Sequence, residues 1–257
     1  MHLQEKMKIV SQRKLAPDIF EMKLFGNLVK KMKRAGQFLH IRVPRCDLLL
    51  SRPISLAQID HKAGTCTIIY RVKGIGTKYF SKMKQEDSLD ILGPLGNGFD
   101  ISVVNKKETA LIIGGGIGIS PLYELSKKLV AKGVRVIHLF GFTTQKVMFY
   151  EKEFRALGEV RVSTDDGSYG VYGHVGKLLE KLTADAVYAC GASGMLKIID
   201  KKFMTHPHAF LLLEARMACG IGACYACVCR KRENETGIKF FKVCDQGPVF
   251  KTGEVII

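Results

Sequence analysis

Cys219, Cys224, Cys227 and Cys244 follow one another with the spacing C-x4-C-x2-C-x16-C, and their chemistry would be metal ligation. Four thiolates spaced this way can converge on two irons, three from one tight loop and the fourth from a returning segment. This is the plant-type spacing of a [2Fe–2S] centre. Gly220 and Gly222 suit such a loop, because glycine takes the positive φ that turns backbone N–H groups toward sulfur. A structural zinc site on Cys224, Cys227 and Cys229 is the competing use of the same residues. Zinc sites ordinarily show two paired knuckles, however, and Cys244 stands alone. In an extended segment Cys229 would point to the same side as Cys227, and it reads as structural. Cys46 and Cys66 sit among strand-forming residues and read as small buried hydrophobes.

A second chemistry-bearing stretch is Gly114-Gly115-Gly116-Ile117-Gly118-Ile119-Ser120-Pro121. Glycines between a strand and a helix let the backbone approach a pyrophosphate at the helix N-terminus. They also serve simply to pack a helix closely on a sheet, and the proline departs from the usual G-x-G-x-x-G fingerprint. Earlier, Arg52-Pro53-Ile54-Ser55 lies between two strands as either an ordinary turn or an arginine for a diphosphate with a hydroxyl for a ring edge. Gly74-Ile75-Gly76-Thr77 would be a second phosphate-binding turn at the start of a short helix.

The elements that must position these residues change character along the chain. Up to about Asp100 short strands alternate with turns, notably Gln37–Val43 and Thr65–Val72, which suggests a small barrel or sandwich. One short helix begins near Thr77 and carries Tyr79, Phe80 and Met83. After Asn105, the apolar run Ala110–Ile113 leads into the glycine turn. Ser120 is expected as N-cap and Pro121 as first helical residue of a helix with Leu122, Leu125 and Leu129 on one face, ending near Gly133. Strands are expected at Val134–Phe142, Val160–Ser163, Ala186–Cys190 and Ala209–Leu213, with helices at Val175–Leu182 and Ser193–Phe203, hence a parallel α/β sheet. The last forty or so residues are rich in Cys and Gly and lack helical periodicity.

Composition narrows the classes. The 257 residues are 47% hydrophobic and 25% charged, which excludes a mostly disordered chain, and the apolar runs are too short to span a membrane. The segment Met1–Lys14 carries no signal-peptide pattern, which points to the cytosol and to reduced or metal-bound cysteines. A net charge of +16 raises the possibility of nucleic acid, but the basic residues are dispersed. The densest run, Lys30-Lys31-Met32-Lys33-Arg34, accompanies no nucleic-acid motif and reads as a solvated face. After the second α/β strand, Gly141–Lys146 offers neither an acidic residue for ribose hydroxyls nor an arginine for a 2′-phosphate.

Taken in order, the R-x-x-S segment, the glycine–threonine turn and the G-G-G-I-G-I-S-P-L segment resemble the ferredoxin–NADP reductase superfamily. With Glu214–Cys227 and the ending Cys244-Asp-Gln-Gly-Pro-Val-Phe250, the chain is similar to the family of dihydroorotate dehydrogenase B electron-transfer subunits. The resemblance implies an N-terminal Greek-key FAD-binding β-barrel (1–102), a central parallel α/β nicotinamide-binding domain (103–213) and a small C-terminal [2Fe–2S] domain (214–257). It assigns Arg52, Pro53, Ile54 and Ser55 to FAD, with Ile69, Tyr70 and Arg71 at the isoalloxazine and ribityl region and Gly76 and Thr77 at the diphosphate. Gly114, Gly115, Gly116, Gly118, Ser120, Pro121, Cys190 and Gly191 would shape the NAD pocket, with Thr164–Ser168 at its edge. Cys219, Cys224, Cys227 and Cys244 would hold the cluster. Ser55 is expected near flavin N5 and Cys190 near nicotinamide C4, as the catalytic pair. The implied partner is an FMN-containing dihydroorotate dehydrogenase catalytic subunit, in a heterotetramer of two of each. The implied role is electron transfer to NAD⁺ in cytoplasmic pyrimidine biosynthesis, with no nucleic acid and no membrane. Cys229 and the high charge depart from the family's pattern. Two alternatives stay open: another flavin/[2Fe–2S] reductase subunit, of the sulfhydrogenase or ferredoxin-dependent transhydrogenase type, and a zinc-stabilised binding protein.

Overall fold

The structure is a computed structural model that describes residues 3–180, 182–232 and 239–257. The N-terminal third alternates inward apolar and outward polar residues, and this pattern closes it into a barrel. Its strands are β1 (Leu3–Ala16), β2 (Ile19–Phe25), β3 (Phe38–Ile41), β4 (Arg52–Asp60), β5 (Thr65–Arg71) and, after helix α1 (Ile75–Phe80), β6 (Ser88–Leu95). The antiparallel order β1-β2-β5-β4-β3-β6 is a Greek key closed between β6 and β1. Met7, Ile9, Met22, Leu24, Leu39, Ile41, Leu56 and Ile68 fill its interior.

The next unit alternates strands and helices: β7 (Thr109–Gly115), α2 (Ser120–Ala131), β8 (Arg135–Phe142), α3 (Glu151–Arg155), β9 (Glu159–Thr164), β10 (Val171–Tyr172), β11 (Ala186–Cys190), α4 (Ser193–Lys202) and β12 (Ala209–Leu212). The β7, β8 and β11 strands read as nearly continuous apolar runs because helices or the barrel cover both faces of the sheet, whereas β9 alternates at its start, with Glu159 and Arg161 exposed. The C-terminal segment contributes β13 (Val228–Lys231), β14 (Phe240–Lys242), β15 (Val249–Lys251) and β16 (Val255–Ile256). β13, β14 and β16 make a small sheet, whereas β15 pairs antiparallel with β12 and completes the seven-stranded order β10-β9-β8-β7-β11-β12-β15.

The barrel and the central sheet share buried surface. Ile69, on the outer face of β5, packs with Ile119 and Leu122 at the start of α2. Glu124 of α2 is buried and accepts the Ile59 N–H of β4 at 3.0 Å. Tyr150 donates to Glu21, which also pairs with Arg13 at 2.7 Å.

Several local expectations need correction. Arg52–Ser55 is not a turn but the first half of β4. A 3-10 turn over Gly116–Ile119 runs straight into α2, so Ile119 takes the cap position and Ser120 makes no capping bond. The helix expected at Val175–Leu182 shrinks to a 3-10 turn at Val175–Leu179, position 181 lying outside the described residues. Cys66 is buried as expected, but Cys46 is exposed in the loop between β3 and β4.

Candidate redox site

Register explains how the barrel presents its polar segment. Across β3 and β4, Phe38 stands opposite Ser55, Leu39 opposite Ile54, His40 opposite Pro53 and Ile41 opposite Arg52. Directly opposed residues share a face, so Phe38, His40, Pro53 and Ser55 line the outer wall while Leu39 and Ile54 enter the barrel core. On β5, Ile69 faces outward, whereas Tyr70 turns into the barrel and donates to Gln12 at 2.8 Å. Of Tyr70, therefore, only the backbone can meet a ligand on that wall.

Arg52 extends over the turn at α1. A Cβ built on Gly76 would lie 2.7 Å from Arg52 Nε, so the guanidinium and this glycine close on one another. Thr77 Oγ1 accepts the N–H groups of Lys73 at 3.0 Å and Gly74 at 3.3 Å, which fixes the turn. A planar cation over a side-chain-free turn fits a diphosphate.

The second glycine group closes the C-terminal edge of the parallel sheet. A Cβ on Gly118 would sit 2.7 Å from the Cys190 carbonyl oxygen, and one on Gly115 would sit 2.6 Å from Met195 Sδ. Gly116 adopts φ +53°, and Arg71 Nη2 lies 3.1 Å from where its Cβ would be. Gly115, Gly116, Gly118 and Gly191 thus form one bare-backbone rim at the strand ends, where open α/β sheets bind ligands. Ser120 and Pro121 are buried in the first turn of α2. The Cys190 thiol is fully buried, and burial raises its pKa well above the ordinary value.

Two acidic groups join this edge: Glu214, which no expectation named, and Asp166, within the Thr164–Ser168 segment expected there. Glu214 follows β12 and lies within electrostatic reach of Arg71, Lys73 and Cys190. It opens to solvent, yet its enclosed position raises its pKa through desolvation, against the pull of the two cations. Asp166 accepts the Ser168 hydroxyl at 2.6 Å and the Ser168 N–H at 3.0 Å, and Ser168 Oγ accepts the Gln145 N–H at 2.8 Å. The Ser168 hydrogen bonds bring Asp166 down to about 2. Asp166, at the end of β9, is thus tied through Ser168 to Gln145, in the segment after β8 that lacks an acidic residue of its own. Its only sequence signal was the Asp-Gly-Ser turn.

The four C-terminal cysteines associate two and two: the Cys219 and Cys224 thiols meet, as do those of Cys227 and Cys244. Gly220, Gly222 and Tyr225 take φ of +74°, +79° and +57°, coiling the loop so that its amides face sulfur. The Gly222 N–H donates to Cys244 Sγ at 3.1 Å, that of Ile221 to Cys219 Sγ at 3.4 Å and that of Cys244 to Cys227 Sγ at 3.4 Å. Partial burial works against ionising Cys219, but the Ile221, Cys224 and Ala223 amides and the Cys224 thiol outweigh it and bring it to about 6. Cys244 is pushed up to about 12 by burial and by its contact with Cys227. Among the described residues no three His, Cys, Asp or Glu side chains converge on a single-ion site. Two thiol pairs lined with amides suit a two-iron centre, with one pair for each iron. Cys229 belongs to neither pair; its thiol donates to the Phe241 carbonyl at 3.7 Å and burial raises its pKa to about 11.

A barrel with an arginine-covered turn, joined to a parallel sheet with a bare glycine rim and a cysteine loop, defines a protein of the ferredoxin reductase class with its own metal-ligand module. Residues 214–256 match the domain family described as the iron-sulfur cluster binding domain of dihydroorotate dehydrogenase B. The chain is 61% identical over 259 residues to the dihydroorotate dehydrogenase B (NAD(+)) electron transfer subunit of Enterococcus faecalis, covering 99% of this chain and 98% of the relative. It is 52% identical to that of Streptococcus mutans, over the whole length of both. It superposes on an NADH-dependent reduced ferredoxin-NADP oxidoreductase with a TM-score of 0.86 at 28% identity, covering 98% of this chain and 90% of the other. The fold is also that of a ferredoxin NADP+ reductase from Neisseria gonorrhoeae, with a TM-score of 0.67 at 17% identity over 87% of this chain and 95% of the other. The chain belongs to the family of dihydroorotate dehydrogenase B (NAD(+)) electron transfer subunits.

Proposed function

We propose that this chain takes electrons from an FMN-containing subunit that oxidises dihydroorotate to orotate and delivers them to NAD⁺, in an assembly of two copies of each subunit in the cytoplasm. The observation that carries this reading is the seating of the cysteine loop on the same barrel wall as Pro53 and Ser55. Phe38 and Leu95 of that wall pack in one cluster with Cys227 and Cys244. When bound, the [2Fe–2S] cluster exchanges electrons singly and FAD exchanges one or two, which matches a one-electron supply to a hydride acceptor.

The protein's own part is placement. Arg52 and the turn at Gly76 and Thr77 hold the FAD diphosphate, while Pro53, Ser55, Ile69 and Arg71 form the wall against the ring. Ser55 offers its hydroxyl toward N5, and the rim of Gly114, Gly115, Gly116, Gly118 and Gly191 admits NAD beside Cys190. Cys227 and Cys244 are the inner thiols and Cys224 is exposed. Around Cys224, Ile221, Tyr225 and Val228 expose apolar surface to a docking partner.

Purified chain with flavin-plus-iron–sulfur absorption, and NADH formation dependent on both the chain and a dihydroorotate-oxidising subunit, would support this reading. A colourless zinc protein would overturn it. The likeness to the NADH-dependent reduced ferredoxin-NADP oxidoreductase favours a second reading, a transhydrogenase-type subunit. Reduced ferredoxin in place of the dihydroorotate-oxidising subunit would then drive nucleotide reduction.

A further inference from the structure

The segment Asp165–Ser168 leaves β9 yet stays tied to the end of β8. The Asp165 N–H donates to the Phe142 carbonyl at 3.0 Å and the Asp166 N–H to the Thr143 carbonyl at 3.3 Å. Asp166 is therefore held beside the residues that follow β8, the second strand of the α/β unit. In dinucleotide-binding sheets an acidic side chain near the end of the second strand takes the adenosine ribose hydroxyl. Here Phe142–Val147 contains no acid, and Asp166 comes alongside it from the neighbouring strand.

The carboxylate is both fixed and open. The Ser168 hydroxyl and N–H both donate to Oδ1, at 2.6 and 3.0 Å, and Ser168 Oγ in turn accepts the Gln145 N–H. Asp166 remains exposed, so Oδ2 stays accessible to a ligand. Register sets its distance from the rest of the nucleotide edge. Cys190 of β11 stands level with Gly114 of β7, Gly114 with Phe140 of β8, and Phe140 with Val162 of β9. The expected nicotinamide position and the end of β9 are thus three strand spacings apart, about 14 Å. With the pyrophosphate on the bare rim of Gly115, Gly116 and Gly118 after β7, the adenosine half of NAD runs outward over β8 and β9, toward Asp166.

We propose that Asp166 accepts a hydrogen bond from the 2′-hydroxyl of the adenosine ribose and so selects NAD⁺ over NADP⁺. The proposal rests on the functional reading above, which supplies the nucleotide and its direction, and adds the residue that discriminates. A 2′-phosphate in the same position would lose that bond and bring further negative charge against a carboxylate.

The test is calorimetric titration of the oxidised full chain, loaded with FAD and iron–sulfur, with NAD⁺, 2′-deoxy-NAD⁺ and NADP⁺. The wild-type chain should bind NAD⁺ about tenfold more tightly than 2′-deoxy-NAD⁺, the size of one charge-assisted hydrogen bond, and NADP⁺ more weakly still. Asp166→Asn keeps an acceptor for Ser168 and removes the charge, so its preference for NAD⁺ over NADP⁺ should fall about tenfold. Asp166→Ala should bind NAD⁺ and 2′-deoxy-NAD⁺ alike. If Asp166→Ala does not fold, Asp166→Asn decides the matter. Wild-type binding indifferent to the 2′-hydroxyl, or an unchanged preference in Asp166→Asn, would overturn the proposal alone. So would NADP⁺ bound as tightly as NAD⁺, because the exposed Lys146 in the turn after β8 would then set the choice. A wild-type chain that binds no nicotinamide nucleotide would overturn the functional reading, and the proposal with it.

Discussion

At the scale of single residues, the thiols divide by what surrounds them rather than by their place in the sequence. Cys227 accepts an amide hydrogen bond and meets Cys244, whereas Cys229 spends its thiol on the Phe241 carbonyl. Cys227→Ser is expected to remove iron and the visible cluster absorption, while Cys229→Ser keeps both; iron analysis beside the absorption spectrum checks this. Arg52 Nε lies 2.7 Å from where a Cβ on Gly76 would be, and in the proposed function its guanidinium would make a charge-assisted contact with the FAD diphosphate there. Its loss, at roughly 1.5–3 kcal/mol, should weaken FAD binding about 10–100-fold in Arg52→Ala, measured by flavin fluorescence on titration. The cysteine spacing was legible because three ligands lie within nine residues of one another along the chain. Glu214 was not, because its neighbours come from strand pairing and domain packing that no local pattern encodes. Cys46 shows the opposite failure, since a residue type that is usually buried sits on an open loop.

At the scale of elements, close backbone approach governs the nucleotide edge. Gly118 has no room for a side chain because its neighbour is the Cys190 carbonyl, a backbone atom that cannot rotate away. Gly118→Ala should therefore cost about 1–3 kcal/mol, seen as a lower Tm, with weaker NAD binding. Helix α2 is joined to β8 and β9 through His138. Its Nδ1 donates to the Glu159 carbonyl at 2.9 Å and its Nε2 accepts the Ser126 hydroxyl at 2.9 Å, a pairing open only to the neutral ring. Burial lowers its pKa from 6.5 to about 4, so the unfolded chain binds the proton more tightly. The stabilisation is complete above pH 6.5 and is lost as pH falls toward 4, a total of roughly 3 kcal/mol. His138→Gln should flatten that part of the stability–pH curve in denaturant titrations; an identical slope in the variant would count against this role. The parallel strands were legible from their apolar runs. Strand β1 was not, because Lys6, Lys8, Arg13 and Lys14 break up its pattern, and its partners β2 and β6 lie far apart in sequence. The turn at Val175–Leu179 read as a helix because its apolar residues have helical spacing over less than two turns.

At the scale of the whole molecule, one barrel wall carries both proposed seats. The barrel meets the central sheet through Ile69, Glu124 and the Tyr150–Glu21–Arg13 chain, and it meets the cysteine loop through Phe38, His40 and Leu95. The C-terminal segment is anchored twice more, by β15 on the edge of the central sheet and by Asn97, which donates to the Val249 carbonyl at 2.8 Å. The order of modules could be read from the chain, but this anchoring could not. The strand pairs β12–β15 and the contact Asn97–Val249 join distant residues through register alone. Nothing in the structure explains the +16 charge. The most direct measurement is NADH formation from dihydroorotate and NAD⁺ by the catalytic subunit, with and without this chain and with its Cys227→Ser variant. The expected result is NADH only with the wild-type chain. NADH formed equally without the chain, or equally with the variant, would contradict an electron route through this subunit.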